Sequence, residues 1–226
     1  MKKKNTGQIF KEIRKELRKH SNRELRAKLR GQIGGKVKIY GVKPTVRARL
    51  VKKYYGYFKK NKDIESAALL AERLIKAKTF EETNIGIEFL SKFKRWFSMH
   101  TFWRIERLLD HMDSTYNTDL LCKKILGPIL RKHKHETKYL RYWADSTNRL
   151  RRRAAAVTLI EPLKAGKNIG TAFVMAKKLC REHNLDVLEG LEKLLKALKE
   201  VDPKRTKKFL QAFGHRLPDY LIEAVG

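Results

Sequence analysis

Two stretches hold residue types at spacings from which chemistry could be made. In the first, Ser114-Thr115-Tyr116-Asn117-Thr118-Asp119, a lone carboxylate follows a polar run. The simplest reading treats the run as a loop and makes Asp119 an acid in the first turn of a helix from Leu120 to Lys132, stabilised by the helix dipole. The other reading is chemical. In a chain of net charge +30, an acid set on a phosphate-binding surface repels the ligand and so needs a purpose. The second stretch is Ser146-Thr147-Asn148-Arg149-Leu150-Arg151-Arg152-Arg153-Ala154-Ala155-Ala156. Here Ser146 or Thr147 caps a helix whose first turns hold four arginines, and the alanines after them let the backbone pack closely on a neighbour. Arg149 and Arg153 share a face. Cations at the positive end of a helix dipole are unfavourable, and a phosphate held by the terminal amides and the guanidinium forks would relieve them. A solvated arginine face is the alternative, and the residues leave both open.

Other chemistries lack their residues. Gly-x-Ser-x-Gly, His-Glu-x-x-His and paired cysteines are absent, and Gly35-Lys36-Val37 fails the phosphate-loop pattern at its hydroxyl position. His133-x-His135 is the nearest approach to a metal pair. Residues two apart on a helix diverge, however, and the segment reads as a charged helix end, so neither metal nor cofactor is expected. Cys122 and Cys180 lie far apart in the chain and fit a reducing compartment.

The composition names a class of partner. Lys and Arg number 54 against 24 Asp and Glu; residues 1–62 alone carry 22 Lys/Arg against 3 Glu. That excludes the ordinary acidic enzyme and points to a polyanion, nucleic acid before an anionic membrane. The apolar run Ala154 to Ile160 is too short to span a bilayer. With the start Met1-Lys2-Lys3-Lys4 lacking an apolar stretch behind it, a cytoplasmic, nucleoid-associated monomer is expected.

The groups above must be positioned by helices. Few Gly and Pro, no apolar alternation and stripes such as Ile9-Ile13-Leu17 and Leu188-Leu191-Leu195-Leu198 predict an all-α chain. Helices are expected near 6–19, 22–31, 45–59, 64–77, 80–96, 100–112, 117–132, 135–144, 147–160, 168–182 and 186–214, the last broken near 200. Capping boxes are expected at Ser21–Glu24 and Thr79–Glu82, an Asp202-Pro203 start, and a left-handed stop at Gly214. From residue 63 the helices pair at about 35 residues per pair, in the range of HEAT-type repeats, which predicts a solenoid with a concave basic surface. Gly31 to Gly35 reads as a connection between very basic N-terminal helices, 1–35, and a body from 36 to 226. Trp96, Trp103 and Trp143 read as core.

Four segments in consistent order then resemble the AlkD-like DNA alkylation-repair glycosylases, a family of HEAT-like repeat proteins. They are Ile39-Tyr40-Gly41-Val42-Lys43-Pro44-Thr45-Val46-Arg47, Asn117-Thr118-Asp119-Leu120 with Ile125-Leu126-Gly127, Trp143-Ala144-Asp145-Ser146-Thr147-Asn148 with Arg153-Ala154-Ala155, and Leu198 to Pro203. The resemblance spans roughly residues 36–215. It implies excision of cationic N3- or N7-alkylated purines from duplex DNA, with Asp119 as the catalytic carboxylate and Arg153 on the phosphate backbone. Arg149, Arg152, Tyr116, Lys193, Arg47 and Lys43 are the further expected DNA contacts. The family's two sugar-packing tryptophans fall at Thr115, with Tyr116 adjacent, and near Lys193. A DNA- or RNA-binding module without catalysis is the alternative.

Overall fold

The computed structural model describes residues 4–33, 37–133, 137 and 139–226, and it is all-α. Among the described residues the one extended pairing is a bridge between Lys38 and Thr79. The chain packs as two compact units, Met1–Phe97 with His111–Leu120, and Ser98–Asp110 with Leu121–Gly226.

The first unit begins with α1 (Thr6–Lys19), capped by Asn5 in a reciprocal box with Gln8 and burying the expected Ile9, Ile13 and Leu17. Helix α2 (Arg23–Ile33) buries no side chain. Its cap is Asn22, whose Oδ1 accepts the Leu25 N–H, because Ser21 donates its hydroxyl to the Tyr40 carbonyl instead. Gly31 therefore continues a helix; Gly34 and Gly35 lie outside the described residues. Helix α3 (Pro44–Asn61) starts on its proline, and its buried face is Arg47, Leu50, Val51, Tyr54 and Phe58.

Helices α4 (Ile64–Ile75) and α5 (Phe80–Ser91) pack tightly, since a Cβ on Gly86 would lie 2.9 Å from the Ala71 carbonyl. Almost every side chain of α5 is buried, carboxylates included. The box expected at Thr79 does not form. Thr79 donates to the Ala77 carbonyl, Glu82 pairs with Arg14, and Glu81 turns to the backbone of residues 40–42. Helix α5 also stops at Ser91, short of the expected 96. Phe93 and Phe97 take the buried places flanking a short turn, Lys94–Trp96, and Trp96 is left 64 % exposed, contrary to its core reading.

In the second unit α6 (Met99–Glu106) carries Phe102, on which Trp143 stacks at 5.6 Å while donating its indole N–H to Glu106. Trp143 is core, as expected; Trp103 is half-buried with its ring edge-on to Tyr139 at 4.4 Å. The expected helix 117–132 divides into α7 (Thr115–Leu121), which belongs to the first unit up to Leu120, a wider-wound stretch Cys122–Leu126, and α8 (Gly127–Lys132). Pro128 has no N–H to offer the turn before it, and the Gly127 N–H reaches five residues back to the Cys122 carbonyl.

Short α9 (Leu140–Ala144) precedes α10 (Arg149–Val157), whose buried Ala154, Ala155 and Ala156 allow the close packing expected of them. Past α11 (Ile160–Leu163) and α12 (Ile169–Leu179), the 17-residue α13 (Leu185–Val201) is the spine against which α10, α12, α14 (Pro203–Phe213) and α15 (Asp219–Val225) all pack. Asp202 caps α14 through the Arg205 N–H, as expected. Gly214 is no left-handed stop: its φ is −56° and it opens a 3-10 turn, Gly214–Arg216. The last helix, α15, has no signal stronger than Pro218 before it.

Both thiols are buried. Burial pushes the Cys180 thiol up to about 11, from an ordinary value of 9.0. Cys180 is therefore expected to react with iodoacetamide at pH 8 on the order of a hundredfold more slowly in the folded chain than in the unfolded one. The thiol favours the folded state below pH about 9, and that preference is lost as pH rises from there toward about 11. Alkylation kinetics with and without urea check this; equal rates would contradict it.

Candidate functional site

The first unit assembles a cleft from α3, α5 and the start of α7. Helix α7 begins at Thr115, four residues before Asp119, because Ser114 closes its first turn: Ser114 Oγ accepts the Asn117 N–H at 3.3 Å, and its carbonyl accepts the Thr118 hydroxyl at 2.8 Å. The expected loop is thus helix. Asp119 lies beyond the first turn, so the capping role assigned to it belongs to Ser114. Tyr116 and Asp119, three apart, lie on one face of α7, the tyrosine exposed and the aspartate half-buried.

A buried polar chain fixes α7 against α5. Asn117 donates to the Phe80 carbonyl at 3.1 Å and to Asp113 at 2.9 Å, and accepts from Asn84 at 3.4 Å. Asp113 also takes the Thr83 hydroxyl at 3.1 Å. Fully paired polar groups in a low-dielectric interior define one arrangement, so the orientation of the Tyr116 face is built in rather than adaptable.

Phe80 is the floor of this arrangement. The Tyr116 ring packs on it at 5.5 Å, and the Arg47 guanidinium lies over it at 5.5 Å. Arg47 is only 8 % exposed, yet its Nε and Nη1 have no hydrogen-bond partner. Burial holds its pKa below the ordinary arginine value, opposed by the Tyr116 phenol and the Glu81 and Glu88 carboxylates. A buried, incompletely satisfied guanidinium is costly unless an acceptor reaches it. The open cleft of about 660 Å³ in front of it is lined also by Lys52, Asn84, Glu88, Lys92 and Tyr116. Lys43, next in the chain to the cleft-lining Pro44, is exposed. Phe80, Asn84 and Glu88 escaped the sequence reading; the only signal was their four-residue spacing along one helix, which reads equally as core.

The second unit holds the arginine stretch. Helix α10 is capped by Asn148, which accepts the Leu150 N–H, and by neither Ser146 nor Thr147. The cations at its start are each paired with a carboxylate. Arg149 pairs with Asp186 at 2.6 Å, and Arg151 with Glu106 and, at 2.8 Å, Asp110. Arg152 pairs with Glu182 at 2.7 Å and donates to the Ser146 carbonyl at 2.9 Å. Arg153 is 1 % exposed, bonded to the Asp186 carbonyl and to Glu189, with Gly190 packed on its methylenes. The carboxylates do what a phosphate was expected to do for the helix dipole. Lys193 is exposed on α13.

His133 ends α8, and His135 lies outside the described residues. Among the described residues no three His, Cys, Asp or Glu side chains gather as metal ligands, and no helix is long and apolar enough to cross a membrane.

Comparison with known proteins places the fold. The family model described as DNA alkylation repair enzyme matches residues 13–224. A solved structure described as a predicted DNA alkylation repair enzyme from Enterococcus faecalis superposes with a TM-score of 0.77 at 13 % identity, over 91 % of this chain and 95 % of that one. The structure of smu.31 from Streptococcus mutans UA159 superposes with a TM-score of 0.58 at 14 % identity, over 80 % and 96 %. At such identities the likeness carries the all-α helical-repeat fold. No curated protein matches the chain.

Proposed function

Because the chain belongs to the DNA alkylation repair enzyme family, we propose that it is a DNA glycosylase that releases cationic N3- or N7-alkylated purines from duplex DNA, with the Asp119 carboxylate stabilising the sugar as the base departs. The observation that carries this reading is Arg47: a buried cation with two unpartnered N–H donors at the back of a cleft whose rim is Tyr116, on the helix face that also bears Asp119.

The chemistry needs one acid. Alkylation has already made the purine a cation, so the glycosidic bond can break with its electron pair leaving on a base that becomes neutral. No general acid is required. The barrier is the positive charge growing on deoxyribose, and a fixed carboxylate offsets it most where water is thin. Water then adds to the anomeric carbon and gives its proton to solvent, leaving an abasic site. Tyr116 offers its ring face to the same cationic character. Neither a metal nor a cofactor is called for.

Arg47 and Lys43 hold backbone phosphate on the first unit. On the second, Arg149, Arg152 and Lys193 do so, with Arg153 anchoring α10 to α13 beneath them. Exposed ion pairs such as Arg149 with Asp186 are worth only about 0–1 kcal/mol, so a phosphate can replace the carboxylate at little cost. The partner is duplex DNA, engaged by a monomer in the nucleoid.

Arg47 supplies a test in which two readouts move in opposite directions. Arg47→Met is expected to hold or raise the melting temperature, since it removes a buried charge with unmet donors. It should also lower duplex affinity and reduce the slope of log K against log salt by about one. Fluorescence anisotropy across a salt series with calorimetric melting checks both; a fall in stability with an unchanged slope would make Arg47 a structural residue. The second reading, binding without catalysis, draws on Lys193 standing exposed where the resemblance expects a tryptophan. No release of 7-methylguanine above the uncatalysed rate would select it.

A further inference from the structure

The turn Lys94–Trp96, which departs from the expected helix, forms one wall of a second cleft in the first unit. Of about 710 Å³, it lies in the range of about 300–1,000 Å³ typical of small-ligand sites. Its other wall is the C-terminal end of α3. The cleft is aromatic within, with Tyr55 edge-on to Phe93 at 5.2 Å, and Trp96 exposes 64 % of its surface beside it. Around the aromatics stand Lys59, Lys62, Lys92, Lys94 and Arg95, all exposed, and no carboxylate lines the cleft. Among the described residues none of these five forms an ion pair, in contrast to the arginines of α10. The nearest acid in sequence, Asp63, is committed to capping α4 through the Ser66 N–H.

The required ligand is an aromatic plane with anionic groups on either side. Paired bases inside a duplex offer only their edges, so an aromatic wall has nothing to stack on there. An unpaired base has both faces open, and base-on-aromatic stacking with cations along the strand is how single strands are held. We propose that this cleft binds an unpaired DNA nucleotide, stacked against Trp96, with its flanking phosphates on the five cations. Tyr55 and Lys92 line both this cleft and the one in front of Arg47, so one strand can run continuously from a backbone phosphate at Arg47 to an unstacked base at Trp96. The inference concerns single-strand capture and stands whether or not the glycosylase reading holds.

The test is titration of the intact protein with oligo(dT) of twelve nucleotides and with a duplex of equal length. Trp96 is by far the most exposed of the three tryptophans, Trp103 being half-buried and Trp143 buried. The difference in fluorescence between wild type and Trp96→Phe therefore reports its stacking. Quenching by oligo(dT) is expected in wild type and not in that variant. Trp96→Ala is expected to weaken oligo(dT) binding about tenfold while changing duplex binding less than twofold, and to leave any release of 7-methylguanine from duplex unaltered. Lys62 separates binding from folding, because it sits at φ 52° at the end of α3, where glycine is easier. Lys62→Gly should keep or raise the melting temperature while reducing the salt slope for oligo(dT) by about one. Unchanged oligo(dT) affinity in Trp96→Ala, an equal loss for duplex and single strand, or tighter binding of oligo(rU) than oligo(dT) would each overturn the proposal.

Discussion

Asp119→Asn is expected to lower the rate of 7-methylguanine release from duplex DNA by about 10²–10³, the scale on which single fixed electrostatic groups contribute to a transition state. Duplex affinity is expected to stay the same or to increase. The two follow from one cause. The carboxylate repels the phosphates of the bound substrate and attracts only the charge that appears on the sugar as the bond breaks, so removing it relieves the ground state and penalises the transition state. Groups other than Asp119 also hold α7: its first turn is closed by Ser114, and the helix is tied to α5 through Asn117 and Asp113. Single-turnover release with enzyme in excess, read beside binding at one salt concentration, checks it. A variant as fast as wild type would remove Asp119 from the chemistry, whereas one equally slow but several degrees less stable would make it structural.

What the sequence could show depended on whether a residue's role is set by its neighbours along the chain. The leucine stripe of α13, the alanines of α10 and the Asp202-Pro203 start are local patterns with one low-energy use, and each was legible. Caps were legible only in position. Ser21, Thr79 and Ser146 have the right chemistry at the right place, yet Ser21 and Thr79 spend their hydroxyls on nearby carbonyls, and Asn22 and Asn148 do the capping where a cap is made. A competing acceptor supplied by a distant loop cannot be seen in four consecutive residues.

Charge shows the same limit. Four arginines in one stretch carry no sign of Glu106, Asp110, Glu182, Asp186 and Glu189, which the fold brings to them from other helices. Arg47, isolated in sequence, has no such carboxylate against it, and its Nε and Nη1 are left without an acceptor. Trp96 was misjudged because its helix ends at Ser91, and the phenylalanines around it fill the core in its place.

The largest expected loss of stability comes from Glu81, which no motif singled out. Its side chain is fully buried on α5, and its two oxygens accept the backbone N–H groups of Tyr40 at 2.9 Å, Gly41 at 2.7 Å and Val42 at 3.1 Å. The loop it grips cannot find another shape easily. Gly41 sits at φ +78°, and a Cβ there would lie 2.3 Å from the Asn22 carbonyl, so the backbone is already pressed against the start of α2. Three residues on, Pro44 opens α3, and one turn later comes Arg47. Glu81→Ala would strand three amides and leave a cavity, and is expected to cost about 3–5 kcal/mol, the range seen when a buried charged hydrogen-bond centre loses its partner. Glu81→Gln should recover little, because its amide nitrogen would present hydrogens to an N–H donor. Thr79→Ala provides the contrast. In a working capping box it would cost about 1 kcal/mol, but Thr79 donates only to the Ala77 carbonyl, so a loss below about 0.5 kcal/mol is expected. Urea unfolding of the three variants ranks them directly. If Thr79→Ala matched Glu81→Ala, the carboxylate would be serving its own helix and not the loop. A low cost for Glu81→Ala would mean that residues 40–42 hold their course to Arg47 without it.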